Sequence, residues 1–210
     1  AFDDVGDALD EAARRARGEP GLTVALLATL AQRWLIPRLA AFQALHPEIE
    51  VRLLTTSRLV DLEREDVDVA IRVGDGRWPG CRADHLSDND LFPVASPLLL
   101  ARRPLASPRD LGRHVLIQVD APPRQDDWPR WLARAGAEGL RPAGRMDVAN
   151  SAQALEAAVA GLGVAIAHTP FVELDLAAGR LVRPLPQRLA EPDGFYLVSA
   201  RASATLPRVR

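Results

Sequence analysis

The sequence predicts an α/β fold of two lobes with a cleft between them, preceded by one helix. Three observations carry this prediction. Apolar runs suited to buried strands alternate with segments of helical period from Gly21 onwards. The alternation comes in two series, separated by the Pro- and Arg-rich stretch RPLASPRDLGRH. The chain has 210 residues, enough for two lobes of about 100 residues each. The expected division is a helix at 1–20, a first lobe from 21–96 and 192–210, and a second lobe from 97–191.

Residues 1–17 read as a helix, because Phe2, Val5, Leu9, Ala12 and Ala16 recur at alternating steps of three and four. This narrow seam, led by Phe2, Val5 and Leu9, suits a dimer contact, and Gly18-Glu19-Pro20 ends it. LTVALLA (22–28) is a continuous apolar run, as in a strand covered on both faces. Residues 30–45 follow with helical spacing through Leu35, Leu39 and Phe42, kinked or restarted by Pro37. EIEVRLLT (48–55) alternates with period two. SRLVDLERE (57–65) reads as a short helix capped by Ser57, and VDVAI (67–71) as a third strand. That β-α-β-α-β series makes a parallel unit with helices on both faces.

The second series reads as strand HVLIQVD, helix DDWPRWLARAGA, strand GRMDVAN and helix SAQALEAAVAGLG. Strand VAIAHT, helix PFVELDLAAGR and strand LVRPLP complete it. DGFYLVSARAS (193–203) is a last strand able to return to the first lobe.

Composition narrows the chemistry. The net charge is −2 and every cation is Arg, so the surface as a whole does not suit a grip on nucleic acid. One cysteine, Cys81, excludes an internal disulfide or a multi-cysteine metal site. No apolar run approaches the roughly 18 residues of a membrane span. The N-terminus lacks the apolar stretch of a signal peptide, so an intracellular location is expected.

The glycine-rich loop GDGRWPG (74–80) follows a strand and invites comparison with a phosphate cradle. Its spacing is G-x-G-x-x-x-G, Pro79 precedes the last glycine, and no helical period follows. A Walker loop needs a Lys, and there is none. The loop therefore reads as a tight turn with Trp78 over the sheet end, its glycines allowing close backbone approach. His46, His85, His114 and His168 are scattered, no G-x-S-x-G elbow occurs, and no paired His ligands appear. No enzyme signature, metal or cofactor is expected.

Geometry supplies a site instead. In open α/β sheets, ligands sit beyond the carboxyl ends of strands, near helix N-termini. Three such points converge: Thr29 after the first strand, Thr56 and Ser57 after the second, and Asn150 and Ser151 before a helix. Their hydroxyls and amide suit a carboxylate or another anion, although helix capping alone would also account for Ser57 and Ser151. Arg72, at the end of the third strand, adds positive charge.

With those residues in view, the chain resembles the effector-binding region of LysR-type transcriptional regulators. The match rests on ATLAQRWLIPRLAAFQALHPEIEVRL, DVDVAIRVGDGRWPG, LFPVASPLLL, ALEAAVAGLGVAIA and LAAGRLVRPLP, in order and spacing. RVGDGRWPG is most similar to the branch containing the glycine-cleavage activator and the β-lactamase regulator. The resemblance implies a periplasmic-binding-protein-like pair of lobes with the effector in the cleft. It places cleft residues near Thr29, Thr56, Arg72, Gln118, Ser151 and His168, and makes residues 1–17 the tail of a dimerising linker helix. It further implies a homodimer or homotetramer in the cytoplasm, with RNA polymerase as a further partner. DNA would be contacted through a winged helix-turn-helix that this chain does not contain, and a further helix would follow LPRVR.

The leading expectation is therefore an effector-sensing and oligomerising domain of a bacterial transcription factor, binding a small anionic or amino-acid-like molecule. A solute receptor of a transporter is the alternative on the same architecture. An enzyme on that scaffold is a third, because fold does not fix function.

Overall fold

The computed structural model describes residues 21–202 and Val209, which build two five-stranded mixed sheets. The helix expected at 1–17, with Phe2, Val5 and Leu9, lies outside the described residues.

In the first sheet β1 (Gly21–Leu26), β2 (Glu50–Thr55) and β3 (Val69–Gly74) run parallel, β1 in the middle. β10 (Gly194–Ala200) is antiparallel to both β3 and β4 (Cys81–Ser87), giving the order β2-β1-β3-β10-β4. The last strand thus returns to the first lobe. Val24, Ala25 and Leu26 are buried, as the unbroken apolar run requires.

The second sheet repeats the plan. β6 (Val115–Val119) lies between parallel neighbours β7 (Gly144–Val148) and β8 (Val164–His168). β5 (Asp90–Val94) is antiparallel to β8 and to the short β9 (Leu189–Ala190). Gly163 lets β8 approach β6, because a Cβ there would stand 2.5 Å from the Val115 carbonyl oxygen. One apolar core joins the two sheets. Val24, Leu26 and Ile71 belong to the same cluster as Phe92, Ile117, Leu155 and Phe171.

The helices connect these strands. A short turn α1 (Ala28–Leu30) opens into a π-helical segment, Ala31–Leu35, and then α2 (Ile36–Leu45). Pro37 sits near the start of α2 inside a continuous helical stretch, where it cannot donate to the preceding turn, and the ladder widens ahead of it. Where the sequence suggests a kink or a restart at Pro37, the structure has this π segment ahead of it. α3 (Pro97–Arg102) is capped by Ser96, whose side chain accepts from Leu99 N. α4 (Asp127–Arg134), α5 (Ser151–Val159) and α6 (Thr169–Ala177) occupy the second lobe.

Four expectations need correction. Residues 57–65 form turns, not a helix, and Ser57 caps nothing. There the Thr56 hydroxyl accepts from Arg58 N, and the Glu65 carboxylate accepts from Asp61 N at 2.7 Å. Val60, Leu62 and Val67 pin this segment to the sheet. Side-chain to backbone bonds of this kind compete with a helical ladder. LVRPLP forms one isolated bridge, Val182 to Ala95, in place of a strand. β4, which shows no helical period, is a strand that the sequence reading omitted. β5 belongs to the second sheet, so the chain crosses between lobes at Asp88-Asn89, ahead of residue 96.

The glycine loop behaves as a close-packed turn. A Cβ on Gly74 would lie 2.8 Å from the Trp78 ring, and one on Gly76 2.9 Å from Tyr196. Gly76 also has a φ of 82°, a conformation natural to glycine.

Candidate functional site

A cleft of about 610 Å³ opens where the two lobes face each other, within the roughly 300–1,000 Å³ typical of small-molecule sites. It lies beyond the carboxyl ends of β1, β2, β6 and β7, the position that an open parallel sheet reserves for ligands. The first lobe contributes the turn after β1, with Ala28 and Thr29, and the end of β2, with Thr55, Thr56 and Ser57. Thr56 N donates to Leu26 O at 2.9 Å, which ties the two segments together.

The second lobe contributes two further segments. After β6 the chain turns through Ala121, Pro122, Pro123 and Arg124, with a cis bond between the prolines. Gln118 holds this turn from behind, since its Nε2 donates to Val119 O at 2.9 Å and to Arg124 O at 3.1 Å. Asp120 N donates to Val148 O, anchoring the turn to β7. At the start of α5, Asn150 is the N-cap and accepts from Gln153 N at 3.0 Å, while Gln153 Oε1 accepts from Ala149 N. Ser151, the first residue of α5, reaches the cleft with its side chain outside that capping exchange. Phe171 of α6 forms an apolar wall and packs edge-on against Phe195.

Of the residues expected in the cleft, Thr29, Thr56, Ser57, Asn150 and Ser151 line it. Three others do not. Gln118 is buried and acts on the turn through its backbone bonds. Arg72 faces a separate pocket of about 250 Å³ in the first lobe, donates to Val60 O and sits over the Trp78 ring. Its burial lowers its pKa from the ordinary arginine value. His168 is buried behind the cleft, with Nε2 3.0 Å from Asp127 Oδ2 and Nδ1 2.8 Å from Asn89 Oδ1. Burial pushes its pKa down, the Asp127 bond works against that, and the Arg124 charge adds to it.

Sequence reasoning missed the turn from Ala121 to Arg124 and the wall formed by Phe171. Arg124 is one of many arginines and follows a loop with no motif, so no local signal separates it from a surface cation. Its Nη1 lies 2.9 Å from His168 Nδ1 and 2.6 Å from Nε2, and burial lowers its pKa. Among the described residues no cluster of His, Cys, Asp and Glu could hold a metal ion. No described helix is long and apolar enough to cross a membrane.

Two like-built α/β lobes, with hydroxyls from both facing one cleft, define a small-molecule-binding domain of the two-lobed class. The family model described as the LysR substrate binding domain matches residues 15–210, and the chain belongs to that family. It is 40% identical over 198 residues to the glycine cleavage system transcriptional activator of Escherichia coli strain K12. That alignment covers 94% of this chain and 63% of the relative, so the chain spans less than two thirds of that protein's length. The transcriptional activator AmpR of Pseudomonas aeruginosa is also 40% identical, over 78% of this chain and 54% of its own. The effector domain of that AmpR has the same fold, with a TM-score of 0.66, 33% identity and 90% coverage of both chains. The AmpR effector binding domain from Citrobacter freundii superposes with a TM-score of 0.68 at 28% identity, covering 91% of this chain and 93% of its own. These relatives are regulators of transcription, which does not favour the solute-receptor reading.

Proposed function

We propose that this chain is the effector-sensing domain of a bacterial transcription regulator and takes a small molecule in the cleft between its lobes. The observation that carries this reading is the meeting of Thr29, Thr56 and Ser57 from one lobe with Ser151 from the other across a single cleft. A ligand that bonds to both walls has a binding energy that depends on the placement of the lobes. It therefore biases their arrangement and whatever is attached to them. The regulator relatives support the same reading.

In the whole protein, DNA contacts belong to a winged helix-turn-helix outside this chain, and RNA polymerase is a further partner. Self-association, as a dimer or tetramer, runs through the seam of Phe2, Val5 and Leu9 and is read by sedimentation. The domain works in the cytoplasm and catalyses nothing.

A thermal-shift screen against organic acids, amino acids and muropeptides tests the cleft. A ligand at about 100 times its dissociation constant adds about 2.7 kcal/mol of stability. Thr29→Val combined with Ser151→Ala is expected to weaken the hit at least about tenfold, while the unliganded melting temperature stays close to that of the parent. An unchanged affinity in the double variant would move the site elsewhere.

A further inference from the structure

The described residues that line the cleft include one charged side chain, Arg124, and no carboxylate. Arg124 makes no direct ion pair or hydrogen bond with an acid among the described residues, although the charges of Asp127 and Glu191 act on it through space and Asp127 Oδ1 is buried without a hydrogen-bond partner. Glu191 pairs with Arg130 at 2.5 Å, and Asp127 Oδ2 lies 3.0 Å from His168 Nε2. Arg124 Nη1 is turned to His168, whereas Nε and Nη2 make no hydrogen bond to a described residue. A guanidinium presents five N–H donors in a plane that matches the two oxygens of a carboxylate. This one is half-buried on a turn braced by Gln118, so it meets a ligand without first being ordered.

The other polar groups fit the same ligand. The Thr29, Ser57 and Ser151 hydroxyls can donate to carboxylate oxygens, and the apolar faces of Pro122 and Phe171 suit a hydrocarbon body. An ammonium group would find no carboxylate in this lining and would stand in the field of the guanidinium. Like charges in a partly desolvated site repel, so an amino acid gives up at its amine part of what its carboxylate gains.

Resting on the cleft reading above, we infer that the site selects a small organic carboxylate that carries no amine. Arg124 holds the carboxylate and is the residue that discriminates against amino acids. The selectivity is a difference between ligands of one shape, so it can be measured apart from the affinity of any one of them.

The test titrates the chain with benzoate and hexanoate, with the carboxamides benzamide and hexanamide, and with the amino acids phenylglycine and norleucine. The acids are expected to bind at least about tenfold more tightly than their amides and amino acids, as befits a charge-assisted hydrogen bond. Arg124→Gln is expected to erase that preference, and Arg124→Lys to retain part of it, with melting temperatures of the free variants showing that both are folded. Amino acids binding as well as the acids, or a preference that survives Arg124→Gln, overturns the inference. So does the absence of binding by either acid at about 10 mM, roughly ten times a millimolar dissociation constant. The Thr29→Val, Ser151→Ala variant separates the two readings. If it loses binding while Arg124→Gln does not, the cleft stands and the role of Arg124 falls; if neither variant alters binding, the cleft reading itself falls.

Discussion

At the scale of the residue, His168 shows how burial decides chemistry. The resemblance to the family placed it among the expected cleft residues, yet the ring is turned inward onto Asp127 and Asn89. Its burial holds the folded-state pKa below the ordinary histidine value, so the native imidazole is neutral where an exposed one would be charged. The unfolded chain takes up that proton below about pH 6.5. The stabilisation is therefore complete above about pH 6.5 and is lost as pH falls from there towards the folded-state pKa. A melting temperature followed from pH 7.5 to 5 should fall on the acid side, about pH 6.5 being the onset, and His168→Gln should flatten that fall. His114, also buried and shifted down, leaves a residual slope. An identical acid fall in the variant would assign it to other groups.

At the scale of the element, helix starts show what local chemistry decides. Asn150 was placed in the cleft together with Ser151, but the two do different work. The Asn150 side chain caps α5, and Ser151 is left to face the cleft. Asn150→Ala should therefore cost about 1 kcal/mol of stability by chemical denaturation, and Ser151→Ala much less. Equal losses would give Ser151 a share in the cap. The segment 57–65 shows the opposite case. Its apolar residues suit a short helix, but Arg58 and Glu65 pair across a turn, holding the Glu65 carboxyl down to about 2, and the helical ladder never forms. Propensity is a weak prior over nine residues when side-chain bonds to the backbone offer another conformation.

At the scale of the molecule, the two lobes are fastened across their contact. Arg33, from the π segment of the first lobe, pairs with Asp175 of α6 and Glu156 of α5 and donates through Nε to Phe171 O at 3.3 Å. Arg180 also binds Asp175, with 2.8 Å from its Nε to Oδ1, and Arg38 reaches Glu173 at 2.9 Å. Asp175 is buried, so removing its charge leaves the largely desolvated Arg33 with only the exposed Glu156 as a counter-charge. Asp175→Asn should lower stability by about 3 kcal/mol, read by denaturant unfolding, with the Arg33→Met, Asp175→Leu double variant recovering much of the loss. Additive losses in the double variant would show that the pair does not act as a unit.

Much of this protein was legible in its sequence. The apolar run of β1, the period of α5 and α6, and the return of β10 follow from which residues can be buried at which spacing. So do the hydroxyls of Thr29, Thr56, Ser57 and Ser151, because a residue that follows a parallel strand must face the carboxyl end of its sheet. The direction of a side chain is another matter. Arg72, Gln118 and His168 stand near the right strand ends, but packing turned them to a carbonyl, to a loop backbone and to a buried acid. Arg124 enters the cleft from a turn with no motif, placed there by contacts with β6, β7 and His168 that are far from it in sequence or hidden in backbone bonds. Periodicity reports which face of an element meets the core. Which of the 26 cations ends in a cleft without an acid depends on where every other acid went, and only the assembled fold decides that.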